Sequence, residues 1–319
     1  MAKGLPVDIR KAINLVSGIS EERDKQLHLE LFVDQTLTPE FREAARLAFL
    51  PESESIKLSL NTFSADGDNG YPSFAGEVDL TIILTNQSSF CAELFLAASR
   101  RNEVVIVAQD ATNFVNAWPA NLEIDVNRLI ALSSEALARG GFELLFGNLA
   151  KWMIESQEEN RLAWARAFAF VRQVQAKEII SSTSLQNGVI ATVFFLPGAD
   201  LPVLLLNQMR MFFRLASIHD VAFKDQPYAE LATLTAQAFV WRALARALVN
   251  AMPAVSWAIK GTIGYLGTLA LAKAAEFYFE AVHFEQNYAE SQNNNLDKPS
   301  DISTDDSLIK RRLKEAELV

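Results

Sequence analysis

Two apolar runs on either side of a short proline- and glycine-containing break constrain this sequence most. The runs extend over residues 185–213, and the break, with sequence PGADLP, occupies residues 197–202. Asp200 is the only charged residue between Leu185 and Leu206. Side chains this apolar must be buried in a protein core or in lipid, and proline and glycine interrupt a helix. The pattern therefore predicts a hydrophobic helix-turn-helix, which we call the PGAD-P hairpin.

Neither apolar run is long enough to cross a bilayer by itself. Each run has about ten residues, or ~15 Å as a helix, against a hydrocarbon core of ~30 Å. Pro197 and Pro202 remove backbone donors and Gly198 favours a turn, so a continuous span is disfavoured. Two structures remain open. The hairpin is either buried in a protein core, with Asp200 capping the second helix, or inserted as a wedge into one leaflet.

A second apolar stretch, residues 249–272, is the expected packing partner of the hairpin. Lys260 lies near its centre, and a lysine at the centre of a membrane helix costs about 2.5–3.5 kcal/mol. Gly261, Gly264 and Gly267 are spaced by three and allow another helix to approach closely. We therefore expect this stretch to pack against the PGAD-P hairpin rather than to span a membrane.

Polar residues in and beside the hairpin have two interpretations. As a hypothesis, Asp200 pairs with a cation, and the candidates are Lys260, Arg210 and Arg242. Asn207 and Arg210 are three residues apart, which places them on one face of a helix. In the simpler interpretation, these groups satisfy a buried helix end. The candidate structural or binding residues of the motif are Asn187, Pro197, Gly198, Asp200, Pro202, Asn207, Gln208, Arg210, Lys260, Gly261 and Gly264.

Composition excludes several classes of protein. The chain has 319 residues, which favours two domains, and its net charge of −10 provides no basic field for nucleic acid. Cys91 is the only cysteine, which excludes an internal disulfide and fits a reducing compartment. Residues 1–10 carry no apolar signal segment. We therefore expect a cytoplasmic protein, with a peripheral position at the inner face of the membrane as the alternative.

The first third of the chain alternates strand and helix patterns. Alternating or continuous apolar runs predict strands at residues 27–33, 56–60, 78–84 and 104–107. Between them, helices are predicted at residues 41–50 and 90–101. Strands and helices in this order, with short loops, indicate an α/β domain with a small parallel or mixed sheet and Rossmann-like layering. We assign residues 1–121 to this domain.

The rest of the chain carries helical patterns. The predicted helices cover residues 127–139, 142–154, 161–180, 228–249 and 255–279, and Gly140-Gly141 separates the first two. We assign residues 122–290 to an all-α domain that contains the PGAD-P hairpin. Residues 291–319 are predicted to be a disordered linker followed by a short terminal helix, because residues 291–306 are polar and lack an apolar period.

Motifs for catalysis and for cofactor binding are missing. The sequence contains no GxxxxGK[ST], GxGxxG, GxSxG, CxxC or HExxH pattern, and its three histidines are far apart. We therefore predict no cofactor, no metal site and no binding of GTP. Cys91 is interpreted as a small buried residue rather than a nucleophile, because free cysteine is so often simply buried.

Two carboxylates lie at the ends of predicted strands. Asp110 follows a strand, where ligand sites of α/β folds collect, but aspartate there is more often a helix cap or a turn residue. Asp79 has the same two interpretations. The candidate ligand-binding residues at the sheet edge are Asn86, Gln87 and Asp110.

The hairpin and its partner stretch resemble a known domain. The residues that carry the resemblance are Asn187-Gly188, FFLPGADLPV at 194–203, LNQMRM at 206–211, RALAR at 242–246, VSWAIKG at 255–261 and GYLGT at 264–268. Over about residues 178–280 the chain resembles the YcjF-like, GTPase-associated domain of unknown function. That resemblance implies a helical domain that often follows an Era-like GTPase domain or lies beside a membrane anchor. The preceding half resembles the variable α/β region of stand-alone members, but it lacks a P-loop and has AQD at 108–110 in place of NKxD.

Three functions are compatible with this sequence. We favour a non-catalytic scaffold or adaptor whose helical domain docks to a protein partner or to a membrane surface. The first alternative is a degenerate GTPase-like module that binds a ligand near Asn86, Gln87 and Asp110. The second is an enzyme that uses a polar cluster of Asp200, Asn207, Gln208 and Arg210.

Overall fold

The computed structural model describes most of the chain. The described residues are 9–64, 73–86, 90–120, 122, 125–193, 201–221 and 256–296. The chain divides into a compact unit, Met1–Phe279, and a second unit, Glu280–Val319.

A parallel five-stranded sheet forms the N-terminal half of the molecule. Its strands are β1 Leu27–Asp34, β2 Ile56–Phe63, β3 Leu80–Thr85, β4 Glu103–Ala108 and β5 Leu129–Ala131. Their order in the sheet is β2-β1-β3-β4-β5, and each pair of neighbours is parallel. The first four strands confirm the predicted α/β fold class.

Helices connect the strands and then make up the rest of the described chain. The first four are α1 Ile9–Arg23, α2 Pro39–Ala48, α3 Phe90–Ser99 and α4 Ala111–Ala117. The five that follow the sheet are α5 Ser134–Ser156, α6 Arg161–Ala167, α7 Ala169–Val193, α8 Leu201–Ile218 and α9 Ser256–Leu296. A helical region therefore follows the α/β region, as predicted.

Both faces of the sheet are buried, which explains the continuous apolar runs of its central strands. Ile83 and Ile106 point to one face, where they pack with Cys91 of α3 and Phe114 of α4. The alternate residues of β3 and β4 point to the other face and join a core with residues of α1, α2 and α5. That second core continues without interruption into α6, α7, α8 and α9. The domain boundary predicted at residue 121 stays a prediction.

The predicted helix at residues 127–139 is wrong over its first part. Residues 126–128 form a 3₁₀ turn, Leu129–Ala131 is β5, and α5 starts at Ser134. A three-residue strand is too short to show a period of two, and its position depends on pairing with β4. The break at the glycines is confirmed, because Gly141 has φ 59° and ψ −164° within α5.

The single predicted helix at residues 161–180 is also wrong. Helix α6 ends at Ala167, Phe168 is extended, and α7 starts at Ala169. Phe168 is fully buried and stacks on Trp164, so tertiary packing overrides the helical pattern here. At the other end of the chain, α9 continues to Leu296, so residues 291–296 are helical rather than a disordered linker. The rest of the predicted linker, the terminal helix and the predicted helix at 228–249 lie outside the described residues.

Helices α7, α8 and α9 form a tightly packed group. The residues of α7 meet those of α9 in opposite order, since Asn187 contacts Thr268 and Thr192 approaches Gly261. Helix α8 runs in the same direction as α9, because Gln208 contacts Thr268 and Phe212 packs on Phe279.

Candidate functional site

The carboxyl edge of the sheet is the position where a parallel α/β fold would hold a ligand. In open parallel sheets, ligands bind beyond the carboxyl ends of the strands where the strand order reverses. Here the reversal lies between β1 and β3. Asn86 follows β3 and Asp110 follows β4, so both candidate residues lie at this edge, as predicted. Gln87 lies outside the described residues.

A buried carboxylate occupies the reversal point. Asp34 ends β1 and is fully buried. Its Oδ1 accepts a hydrogen bond from the backbone N–H of Thr36 at 2.9 Å. Its Oδ2 accepts from the hydroxyl of Thr85 at 2.8 Å and from the backbone N–H of Asn86 at 3.3 Å. Three internal donors therefore hold the carboxylate that lies closest to the expected ligand position.

The start of α2, where a nucleotide phosphate would bind, is also occupied by the chain itself. Thr38 caps the helix and accepts from the backbone N–H of Phe41. Gln109 accepts from the backbone N–H of Thr38 at 3.1 Å and donates to its hydroxyl at 2.9 Å. Pro39 has no N–H, and Glu40 places a negative charge in the first turn. Anions bind at a helix start through free N–H groups and the helix dipole. Here the capping hydrogen bond and Pro39 reduce the number of free N–H groups, and the charge of Glu40 opposes the binding of an anion.

Asp110 acts as a helix cap, which confirms that interpretation of its position. Its Oδ1 accepts from the backbone N–H groups of Thr112 and Asn113 at 2.8 and 3.0 Å. Ser134 donates its hydroxyl to Oδ2 at 2.5 Å. These hydrogen bonds, led by the one from Ser134, lower the pKa of Asp110. Asp79 precedes β3 at the opposite edge of the sheet, so the two carboxylates are not brought together.

Cys91 lies in the first turn of α3 and is completely buried. Burial raises the pKa of its thiol far above the ordinary range, and the nearby Asp34 carboxylate raises it further. A thiol in this state is a poor nucleophile. The interpretation of Cys91 as a small buried residue is confirmed.

The motif residues of the helical region come together at the crossing of α7, α8 and α9. Asn187 is fully buried and donates its amide to the hydroxyl of Thr268 at 2.9 Å. Asn207 donates to the side-chain oxygen of Asn187 at 3.1 Å, and Gln208 donates to Thr268 at 3.3 Å. Thr268 in turn donates to the carbonyl of Gly264 at 2.8 Å. The cluster is a hydrogen-bonded lock between three helices.

Glycines permit the close approach of α7 and α9. A Cβ at Gly264 would lie 2.8 Å from the Cβ of Ala191 and 2.9 Å from the carbonyl oxygen of Asn187. A Cβ at Gly261 would lie 2.5 Å from Cγ2 of Thr192. These distances are shorter than van der Waals contact, so the sequence-based expectation of a close helix approach is confirmed.

Other motif residues are not part of this lock. Arg210, three residues after Asn207 on α8, is exposed and lines a cleft beside α1. Lys260 is half-buried on α9. Pro197, Gly198 and Asp200, together with Arg242, lie outside the described residues, as does the side chain of Pro202. The pairing of Asp200 with a cation stays a prediction.

Large apolar side chains are exposed beside the same helix crossing. On α7, Leu185 is 62% exposed and Val189 54%. On α9, Tyr265 is 37% exposed and Leu266 48%. The two helices are in direct contact there, since a Cβ on Gly188 would lie 3.1 Å from the Cβ of Tyr265. We call these four side chains the apolar face.

Several functional groups carried no recognisable sequence signal. Asp34 follows a predicted strand, as Asp110 does, but nothing in the local sequence shows that its side chain is buried. Thr268 and Gln109 could not be found from local patterns either, because their roles depend on partners about 60 to 80 positions away, such as Gln208, Asn187 and Thr38.

No protein-family model, no curated protein and no solved structure matches this chain. The architecture alone is established: a parallel five-stranded sheet with alternating helices, followed by a helical region. Over the described ranges, none of the helices combines the length and the hydrophobicity that crossing a membrane requires.

Proposed function

We propose that this protein is a non-catalytic adaptor that docks a protein partner on the apolar face of α7 and α9. The observation that carries the proposal is the position of that face. Four large apolar side chains are exposed on two helices that the Asn187–Thr268 lock holds together. Large apolar side chains exposed together on two packed helices are characteristic of an interaction site.

Hydrogen bonds within the chain occupy polar groups at the carboxyl edge of the sheet, and this supports a role without catalysis. The Asp34 carboxylate is held by three internal donors, and the start of α2 is held by Gln109. A ligand at that edge would have to displace these hydrogen bonds. The degenerate GTPase-like alternative is therefore less well supported than the adaptor.

Charge favours a protein partner over a lipid surface. Membrane-surface helices usually present lysine and arginine to anionic headgroups. The net charge of this chain is −10, and Lys260 is the one basic residue of α9 before Lys273.

Site-specific photo-crosslinking tests the proposal. A photoreactive amino acid replaces Leu266 in the full chain, and a matched control replaces Val126, which is 76% exposed far along the chain on the 3₁₀ turn. We expect a discrete heterologous product from position 266 and none from position 126. The substitution Val189→Arg on the neighbouring helix should abolish that product, whereas Leu50→Arg at another exposed leucine should not.

Two results would contradict the adaptor proposal. Flotation of the purified protein with vesicles of neutral or anionic lipid, lost in Val189→Arg, would assign the face to a membrane. A dimer in light scattering that Val189→Arg dissociates would assign it to a second copy of the chain.

A further inference from the structure

A cleft between α1 and α8 combines an apolar wall with two arginines. Its volume is about 470 Å³, which lies in the range of small-molecule sites. Leu15 and Ile19 of α1 and Leu206 of α8 provide the apolar wall. Arg210 and Arg214 are four residues apart on α8, so both guanidinium groups face the same cleft.

The positive charge in this cleft is only partly neutralised. Among the described residues, Glu22 is the carboxylate that lines it, and its Oε2 lies 3.8 Å from Nη2 of Arg214. The buried Nε of Arg214 and Oε1 of Glu22 have no hydrogen-bond partner within the described part of the chain. Burial lowers the pKa of Arg214; the Glu22 and Glu178 carboxylates oppose this shift, whereas the nearby Arg161 and Arg210 add to it. An additional anion would therefore interact favourably with Arg214.

Gly18 keeps the cleft open on the side of α1. It lines the cleft, and no atom lies within 4 Å of the position that a Cβ would take. A glycine inside a helix destabilises it by about 1 kcal/mol relative to alanine. The position therefore gives up helix stability at a point where a larger side chain would project into the cleft.

From this geometry we propose that the cleft binds an amphiphile through its oxyanion head, a carboxylate or a phosphate. Arg210 and Arg214 hold the head, and the apolar tail lies on Leu15, Ile19 and Leu206. The site lies on a different pair of helices from the apolar face, so it stands independently of the adaptor proposal.

Calorimetric titration of the full chain with four probes tests this site. Octanoate and octyl phosphate carry both the oxyanion and the tail, whereas octanol lacks the charge and inorganic phosphate lacks the tail. We expect one molecule of octanoate or octyl phosphate to bind, at least about tenfold more tightly than octanol or inorganic phosphate. If octanol bound as tightly as octanoate, the arginines would contribute nothing to binding and the proposal would be wrong. Equal binding of inorganic phosphate would reduce the site to an anion site.

Two variants locate the binding site without threatening the fold. Gly18→Leu fills the cleft and should abolish binding while the melting temperature stays the same or rises, since leucine is a good helix former. Gly147→Leu in α5 is the matched control, because that position is also open. Arg210→Gln removes an exposed charge and should weaken octanoate about tenfold without changing the binding of octanol. Unchanged octanoate affinity in Gly18→Leu, or no binding of any probe, would overturn the proposal.

Discussion

At the scale of single residues, Asp34 organises the carboxyl edge of the sheet. Its buried carboxylate accepts from two backbone N–H groups and from the hydroxyl of Thr85. Removing it leaves buried donors unpaired, and each such group costs about 1–3 kcal/mol. We expect Asp34→Ala to reduce the free energy of unfolding by about 3 kcal/mol or more in urea titrations.

Asp79 provides the control for that substitution. It is exposed at the opposite edge of the sheet and accepts one hydrogen bond, from the backbone N–H of His28 at 2.7 Å. Asp79→Ala should reduce the free energy of unfolding by only about 1 kcal/mol. Equal losses in the two variants would show that Asp34 has no special structural role.

Cys91 gives a clean chemical probe of the folded state, because the chain has no second thiol. The side chain is fully buried and burial raises the pKa of the thiol. We expect no reaction of the native protein with iodoacetamide at mildly alkaline pH, and complete reaction in concentrated urea. Rapid labelling of the native protein, measured by mass spectrometry, would restore the discarded interpretation of Cys91 as a nucleophile.

Glu22 predicts a specific dependence of stability on pH. Burial raises its pKa more than Arg214 and Arg161 lower it. The folded state therefore binds the proton of Glu22 more tightly than the unfolded state does. The stability that this proton contributes is fully present below the unfolded pKa, and it is lost as pH rises through the folded pKa. Relative to the wild type, Glu22→Gln should therefore gain stability as pH rises above the ordinary pKa of a glutamate carboxyl.

Glu43 has a lowered rather than a raised pKa, so it serves as the control for Glu22. Its hydrogen bond with Arg46 lowers the pKa of this exposed carboxyl. Its stabilising contribution is present above the unfolded pKa and is lost as pH falls, so Glu43→Gln should lose stability relative to the wild type toward neutral pH. Urea titrations of both variants across this pH range distinguish the two directions, and parallel behaviour would contradict the assignment for Glu22.

At the scale of secondary-structure elements, the close contact of α7 with α9 depends on glycines, which have no side chain to hold the two helices apart. A Cβ at Gly264 would overlap Ala191 and the backbone of Asn187. Overpacking of this kind typically costs 1–3 kcal/mol, although alanine is the better helix former. We expect Gly264→Ala to lower the free energy of unfolding by about 1–3 kcal/mol.

A substitution at Gly147 in α5 is the control that distinguishes the effect of packing from the effect of helix propensity. Nothing lies within 4 Å of its Cβ position, so Gly147→Ala should stabilise the protein by up to about 1 kcal/mol. Adding Ala191→Gly to Gly264→Ala should recover part of the loss, because it removes one of the overlapping atoms. Thermal unfolding of the three variants beside the wild type checks the set, and equal shifts at positions 147 and 264 would refute close packing at the crossing.

At the scale of the whole molecule, the sheet and the helices that follow it share one hydrophobic core. Apolar residues of β1 and α2 belong to the same buried cluster as those of α7 and α8. The Arg172–Glu52 ion pair and the bond from the Glu52 backbone N–H to the Ala167 carbonyl at 2.8 Å add polar contacts across the same region. Separating the two regions would expose that core to water.

A fragment of residues 1–121 tests the predicted domain boundary. It lacks β5, which pairs with β4, and α5, which packs on the sheet. We expect no cooperative unfolding transition in this fragment by circular dichroism, whereas a fragment of residues 1–279 should show one. A folded 1–121 fragment would instead establish the boundary at residue 121.

Much of the fold was predictable, and less of the site. Four of the described strands, the break at Gly141 and the close approach at Gly261 and Gly264 follow from local patterns. Asn187, Asn207 and Gln208 were singled out from the sequence and lie together at the helix crossing, but their partner Thr268 was not singled out. Asp34 was missed because nothing local distinguishes a buried aspartate at a strand end from an exposed one.

The sequence alone determined the four longer strands, the break at Gly141 and the order of an α/β region before helices, because apolar period and glycine act over a few residues. Tertiary structure decided the rest. β5 exists because β4 offers an edge to pair with, and α6 ends because Phe168 packs on Trp164. The described parts of the PGAD-P hairpin belong to α7 and α8, and it is the crossing of these helices with α9 that joins Asn187 to Thr268 and Gly188 to Tyr265. Contacts between residues so far apart depend on the free energy of the complete fold, which no local pattern records.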